Sequence, residues 1–471
     1  MDKKQLRKKV AIIGGGIAGS SIAMYLSQFD IDIQLFEQGN SLVNGPPICH
    51  LHAGGNLYRE ISDEQCLTLL RESVETVRFF PHTMNMRPTI IAVPKSDDGD
   101  PTDLLPRLHL LQKAYAQLIK NEPKNEVFGP ASDYFHHYTK ADLKRIAQYQ
   151  PTSTPQTAEE WMIPFVHHVN LDELKYPVVL VQEYGLSVFR MAATAQLTLE
   201  QQENVSVKLL AHVNSIKKAN QPHIEPSWDL SYIQSEQQYT SHFDYIVNSA
   251  GFKTGIIDDL VQKKVKRLIE FKAAYVAHWK EDSYGKWPEI IFHGKRGTPQ
   301  GMAQFTPYPN GYFQLHGMTE EITLFRNGLS QSCEVSSQPK IADNLKRKLT
   351  LGWDTSIQTE RTERAIKHLS QFMPQFNKAI PFGKPLYGAQ QIPGNDATLR
   401  AANIVYTGDG YFRAEIVKAS SGIECAKAIR KVLKLDREIT FLPLIEKEDI
   451  ESLAQVLAEQ RGYPMELAQT Y

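Results

Sequence analysis

Six residues near the start of the chain, Gly14-Gly15-Gly16-Ile17-Ala18-Gly19, place three glycines at the spacing that lets a backbone wrap a phosphate. The first permits a tight turn, the second lets a pyrophosphate approach the main chain, and the third lets the next helix pack closely on the strand before it. Amides at the start of that helix then face the phosphate, and the helix dipole adds about 0.3–1 kcal/mol per charge. An acid, Glu37, followed by Gln38, stands where the next strand should end. A carboxylate there accepts from a ribose hydroxyl pair and disfavours a 2′-phosphate, hence NADP. By itself this unit leaves FAD and NAD open.

Other reactive residues carry little pattern. His136-His137 and His167-His168 are adjacent pairs, whose members do not face one site, and no His-x-x-x-His or His-Glu-x-x-His spacing occurs. No metal is therefore expected. Cys49, Cys66, Cys333 and Cys425 are far apart and form no Cys-x-x-Cys pair. A reducing cytosol, and so a cytoplasmic location, fits them. No Gly-x-Ser-x-Gly elbow supports nucleophilic hydrolysis.

The elements that must position the glycine turn can be read from periodicity. Val10–Ile13 is an apolar run, residues 17–29 repeat at helical spacing, and Ile31–Phe36 alternates. That is a strand, turn, helix and strand of βαβ size. Helices are predicted over Ser62–Phe79, near Ala141–Gln148, over Ser187–Gln201, over 358–373 and over Ser420–Leu433. Val178–Val181, Val205–Leu209, Val213–Lys217, Tyr245–Asn248 and Ile404–Thr407 read as strands. The stretch from Lys264 to Phe325 reads as an antiparallel sheet. Pro94–Pro106 and Pro151–Pro155 break the pattern, and 434–471 reads as an acidic helical tail.

Because the nucleotide-type strands come at the start, middle and end, two interleaved domains fit better than two in series. The expected fold class is α/β: a Rossmann-type domain from 1–90, 178–260 and 385–435, interleaved with an α+β domain on an antiparallel sheet from 91–177 and 261–384. Length agrees, since 471 residues exceed one ordinary core. With 42% apolar residues, 22% charged residues and a net charge of −1, the chain has a globular composition and no electrostatic footprint for nucleic acid. No apolar run is long enough for a transmembrane segment, which leaves peripheral membrane contact open. The basic start (Lys3, Lys4, Arg7, Lys8, Lys9) reads as a solvated lead into the first strand.

Three later blocks add to the cradle. Asp244–Gly251 reads Asp-Tyr-Ile-Val-Asn-Ser-Ala-Gly, Pro307–Glu320 reads Pro-Tyr-Pro-Asn-Gly-Tyr-Phe-Gln-Leu-His-Gly-Met-Thr-Glu, and Gly410–Arg413 reads Gly-Tyr-Phe-Arg. In this order they resemble the D-amino-acid-oxidase-like superfamily of FAD enzymes, above all its glycine-oxidase-like members. A fourth block, Cys49–Leu57, resembles the His-Gly-Gly stretch of glycerol-3-phosphate and 2-hydroxy-acid dehydrogenases of the same superfamily.

The resemblance implies FAD as cofactor. The implied contacts are Gly14, Gly16, Ile17, Ala18, Gly19, Glu37, Gln38, His50, His52, Ala53, Gly54, Gly55, Val213, Ala250, Gly251, Gly410, Tyr411, Phe412, Arg413, Val417 and Lys418. His52 would lie against the flavin ring, and Lys418 beside its pyrimidine. Arg413 matches the arginine that grips the substrate carboxylate; Tyr275, Tyr308, Tyr312 and His316 are candidates for a second contact or a proton relay.

Departures from the family pattern fall on the substrate side: Lys272-Ala273-Ala274, Tyr308, Gln390-Gln391, Ala414-Glu415 and Lys418. The implied activity is hydride removal from a small carboxylate-bearing amine or amino acid, with oxygen or quinone as acceptor. The alternatives are a 2-hydroxy-acid or glycerol-3-phosphate-like dehydrogenase feeding quinone or another carrier, and a flavin-binding protein without catalysis.

Overall fold

The structure is a computed structural model that describes residues 7–47, 51, 55, 61–219, 227–280, 285–402, 404–435 and 444–471. Lys8–Ile13 is buried from Val10 onward and becomes a central strand of a six-stranded sheet. Its neighbours are Ile31–Phe36 on one side and Tyr245–Asn248 on the other, both parallel to it. Val205–Lys208 extends the sheet beyond Ile31–Phe36, and Tyr411–Ala414 extends it beyond Tyr245–Asn248, again in parallel. The chain thus reverses its direction of strand addition between Lys8–Ile13 and Tyr245–Asn248, which makes the crevice at their carboxyl ends a topological switch point.

Ile404–Tyr406 differs from expectation. It pairs antiparallel at the sheet's edge and is largely exposed, because Tyr411–Ala414, expected as the lead into a helix, takes the inner place. A small meander, His212–Lys218, Trp228–Gln234 and Gln237–Phe243, covers one end, with Tyr232 and Phe243 against Phe36.

The second sheet has ten strands among the described residues. Its longest, Arg267–His278, alternates faces: Phe271, Ala273, Tyr275 and Ala277 lie on the outer side, with Ala274 and Val276 facing the first domain. All pairings are antiparallel except Glu289–Phe292 with Thr89–Pro94. The strand read at Val178–Val181 and the stretch after 385, both placed in the nucleotide domain by sequence, pair here instead. Leu174–Val181 pairs with Thr89–Pro94, and Leu386–Pro393 pairs along Arg267–His278. Periodicity marks a buried strand but not which sheet it joins.

The segment after Pro94 is packing material. Helix Leu105–Asn121 lies on helix Asp63–Phe79, and Phe135–Tyr138 forms the sheet's edge. Helix Ala158–His168, started by a capping box at Thr157, buries Met162 and Phe165 under the outer face. The C-terminal stretch is no loose tail. Helix Lys447–Gln460 buries Ile450, Ala454 and Leu457 against Val188–Glu200. Arg461 then donates to the carbonyls of Leu42 at 2.8 Å and Val43 at 2.9 Å.

Candidate functional site

The cradle lies at the switch point, and each glycine has a distinct physical reason. Gly14 sits at φ +102°, and a Cβ there would come within 2.5 Å of the Ser249 carbonyl. At Gly19 a Cβ would meet the Gly14 carbonyl at 1.8 Å, so only glycine allows the helix this close to the turn. Around Gly16, by contrast, a Cβ would meet nothing within 4 Å. Open space next to the first amides of helix Ile17–Leu26, which begins with Ile17 and Ala18, is where an anion belongs.

Glu37 ties the cradle together. One carboxylate oxygen accepts from Gly15 N at 2.7 Å, the other from Gly39 N at 2.6 Å. Ionised carboxylates offer about four lone-pair sites, so capacity for a ribose hydroxyl remains. Beside it, Lys253 donates to Gln38 at 2.9 Å; burial pulls this lysine below its ordinary range, against the pull of Glu37. Ala250 and Gly251 follow the strand Tyr245–Asn248 beside Gly14, while Val213 is buried among the meander's side chains.

Arg413 lies elsewhere than a substrate anchor should. It is 4% exposed, and its Nε donates to both Asp258 oxygens, at 2.9 and 2.8 Å. Arg267 donates to the same Asp258 at 2.5 Å and to Glu415 at 3.0 Å. Tyr411 donates to Asp258 at 2.8 Å and accepts from Asn248. Two arginines and two carboxylates therefore neutralise one another in the sheet. Burial lifts Glu415 above the usual carboxylate range even with both arginines pulling it down. The carboxylate-anchor role read for Arg413 is replaced by a structural one. Tyr411 and Phe412 are likewise fully buried, Phe412 stacked on Tyr406, so they pack the strand that follows Gly410 rather than present side chains to a ligand.

His50, His52, Ala53 and Gly54 lie outside the described residues. Gly55 is described, and its amide donates to the buried Glu183. Val417 offers its carbonyl to Gln390 Nε2 at 2.6 Å, and Lys418 precedes the short turn Ala419–Ser421 that starts the last helix.

On the second sheet the candidates separate by face. Tyr275 points outward: its hydroxyl donates to the Ile322 carbonyl at 2.8 Å and accepts from Arg361 at 2.7 Å, within the outer core. It is a packing residue, because its odd position in the strand turns it away from the first domain. Tyr308 packs with the core of the first domain, and the even-numbered His316 shares the inward face. Tyr308 donates to Gln314 at 3.4 Å, His316 Nδ1 lies 3.4 Å from Thr323 Oγ1, and Tyr312 stacks on His278 with ring centroids 4.5 Å apart.

Sequence reasoning singled out Lys272 and Gln390 but missed their polar neighbours Glu270, Arg296 and Arg400. Lys272 Nζ lies 2.8 Å from Glu270 and 3.2 Å from Gln390. Arg296 also pairs with Glu270. Burial pushes Glu270 up, but Lys272, Arg296 and Arg400 together hold it below its ordinary range. Burial likewise draws Lys272 down. The signal was present, as Glu270 and Lys272 share the parity of Ala274 and Val276 in an alternating strand. Among the described residues no cluster of His, Cys, Asp or Glu fits a metal ion, and no helix is long and apolar enough to cross a membrane.

This is the two-domain fold of the FAD-dependent amino-acid oxidases and their kin. A family described as an NAD(P)-binding Rossmann-like domain matches residues 12–43. Among solved structures, glycine oxidase from Geobacillus kaustophilus aligns over 93% of this chain and 97% of its own, at 11% identity and a TM-score of 0.54. L-amino acid deaminase from Proteus vulgaris aligns over 94% and 96%, at 12% identity and a TM-score of 0.56. The L-alpha-glycerophosphate oxidase of Mycoplasma pneumoniae, solved with FAD bound, aligns over 94% and 98%, at 15% identity and 0.53. No curated protein matches the sequence significantly.

Proposed function

We propose that this chain is an FAD-dependent oxidoreductase that removes a hydride from a small anionic amine or amino acid. The observation that carries this reading is the open Gly16 cradle at the switch point, opposed by the polar inward face of the second sheet. The residues fit FAD. Gly14, Gly16, Ile17, Ala18 and Gly19 would hold the pyrophosphate, Glu37 and Gln38 the ribose, Val213 the adenine side, and Ala250, Gly251, Gly55, Val417 and Lys418 the remainder. Bound FAD supplies a two-electron acceptor.

The protein's own part is to hold and orient. Lys272, Arg296 and Arg400 gather around the carboxylate of Glu270, with Asp396 also near Arg400, and their positive charge draws an anion to the inward face. His316 and Tyr308, on the same face, are the groups within that surface suited to hold or pass a proton. The same positive charge fits a phosphate, which supports the second reading, a glycerol-3-phosphate-like or 2-hydroxy-acid dehydrogenase. Oxygen or quinone would reoxidise the enzyme, in the cytoplasm or at a membrane surface.

The test is anaerobic flavin bleaching with amino acids, N-methyl amino acids, 2-hydroxy acids and glycerol 3-phosphate. Bleaching by amines supports the first reading, and by hydroxy compounds the second. Readmitted oxygen separates oxidase from dehydrogenase. A yellow protein that nothing bleaches points to flavin binding without catalysis, and a protein that takes up no FAD overturns the proposal.

A further inference from the structure

On the inward side of the second sheet lies a second polar cluster, separate from Lys272. Arg87 is 1% exposed, and its guanidinium lies flat on Gly185, where any Cβ would approach it to 2.5 Å. The rings of Tyr308 and Tyr471 flank it at 5.4 and 5.5 Å. Its one carboxylate neighbour, Glu289, is 3.6 Å away and accepts from Gln304 at 2.7 Å. Arg87 Nε and Nη1 have no hydrogen-bond partner among the described residues.

Two further unpartnered polar atoms belong to the same patch. Thr306 and Gln314 face each other across neighbouring strands, and both are buried. Gln314 Oε1 accepts from Tyr308, but Gln314 Nε2 and Thr306 Oγ1 have no partner among the described residues. A second buried guanidinium lies nearby. Arg190, 1% exposed, binds the carbonyls of His82 and Met84 together with Asn85 and Thr470. Burial, opposed by Glu451 and reinforced by Arg87, lowers Arg190 to about 10. Around Arg87 and Gln314, donors outnumber acceptors.

Buried N–H groups without acceptors are costly, and buried charge without a counter-charge more so. A single planar anion supplies an acceptor for these donors and a partner for the charge. We propose that Arg87, Gln314 and Thr306 form the pocket that binds the carboxylate of a small monocarboxylate substrate. This rests on the oxidoreductase reading and deepens it: the anchor comes from the segment before Thr89–Pro94 and from the sheet, not from Arg413. A carboxylate brings one charge to be desolvated where a phosphate dianion brings two, which favours carboxylate in so buried a place.

The test uses FAD-loaded protein titrated with acetate, and with inorganic phosphate as control, read by thermal stability and flavin absorbance. Acetate is expected to raise Tm saturably and phosphate not to. Arg87→Gln and Gln314→Glu should each weaken acetate binding on the order of a hundredfold. Thr306→Val, the mildest change, should weaken it about tenfold and serves if the others fail to fold. Acetate that shifts nothing, as a merely water-filled pocket predicts, overturns the proposal, and so do variants that bind acetate like the wild type. Protein that takes up no FAD while acetate still raises Tm in an Arg87-dependent way would sink the oxidoreductase reading and keep the pocket. FAD uptake without acetate binding would do the reverse.

Discussion

Two pairs of buried arginines sit in this protein and do opposite things. Arg267 and Arg413 meet Asp258 and Glu415 at hydrogen-bond distance, and their charges cancel. Arg87 has Glu289 only at 3.6 Å and keeps two N–H groups without acceptors among the described residues, while the hydrogen bonds of Arg190 go to carbonyls and to Asn85 and Thr470. Burial and residue type are the same in both. What differs is the count of carboxylates within reach, and that count separates an arginine that holds domains together from one that can receive a ligand. Arg413 matched a family pattern but belongs to the first kind.

The comparison can be broken in order of effect. Asp258→Ala leaves two arginines, 0% and 4% exposed, short of counter-charge, and should cost about 3–5 kcal/mol in urea unfolding. A loss below about 1 kcal/mol would show that the network is not what neutralises them.

Glu72 offers a buried carboxyl whose hydrogen-bond partner is a serine. It is 3% exposed, accepts from Ser421 at 2.7 Å, and is raised to about 7, chiefly by burial. A carboxyl raised above its unfolded value favours the folded state while protonated, so stability is full below about pH 4.5 and falls as pH rises through about 7. Glu72→Gln should therefore be more stable than wild type at pH 8 by up to about 3 kcal/mol and equal to it near pH 4.5. Equal pH profiles for the two proteins would contradict this.

Arg413→Gln should destabilise by about 2 kcal/mol while leaving KM for the eventual substrate within about threefold. A large rise in KM with unchanged stability would return the anchor to Arg413. The smallest effect belongs to an exposed pair. Arg145 and Glu159 meet at 2.6 Å, but their side chains are 48% and 39% exposed. Arg145→Ala should cost under about 1 kcal/mol, and less in high salt.

Much of the nucleotide domain was legible because its signals are local. Glycine spacing, the strand before it and the acid after it lie within one βαβ unit, and each acts through backbone geometry that sequence encodes directly. Helix Asp63–Phe79 was read from its periodicity to within a residue of its start, where the Ser62 side chain accepts from Gln65 N. The C-terminal helix was read as a helix, but its role was not, since an amphipathic stripe does not name what covers it.

By itself, then, the sequence determined the cradle, the interleaving of a Rossmann-type domain with a second domain, and the antiparallel sheet between Lys264 and Phe325. The tertiary structure alone decided which sheet Leu174–Val181 and Leu386–Pro393 join, and which arginine finds a carboxylate. The reason is range. Backbone turns and periodicity depend on neighbours along the chain. The state of a buried charge depends instead on every group folded against it, and for Arg87 those include Gly185, Glu289, Tyr308 and Tyr471, all far from it along the chain.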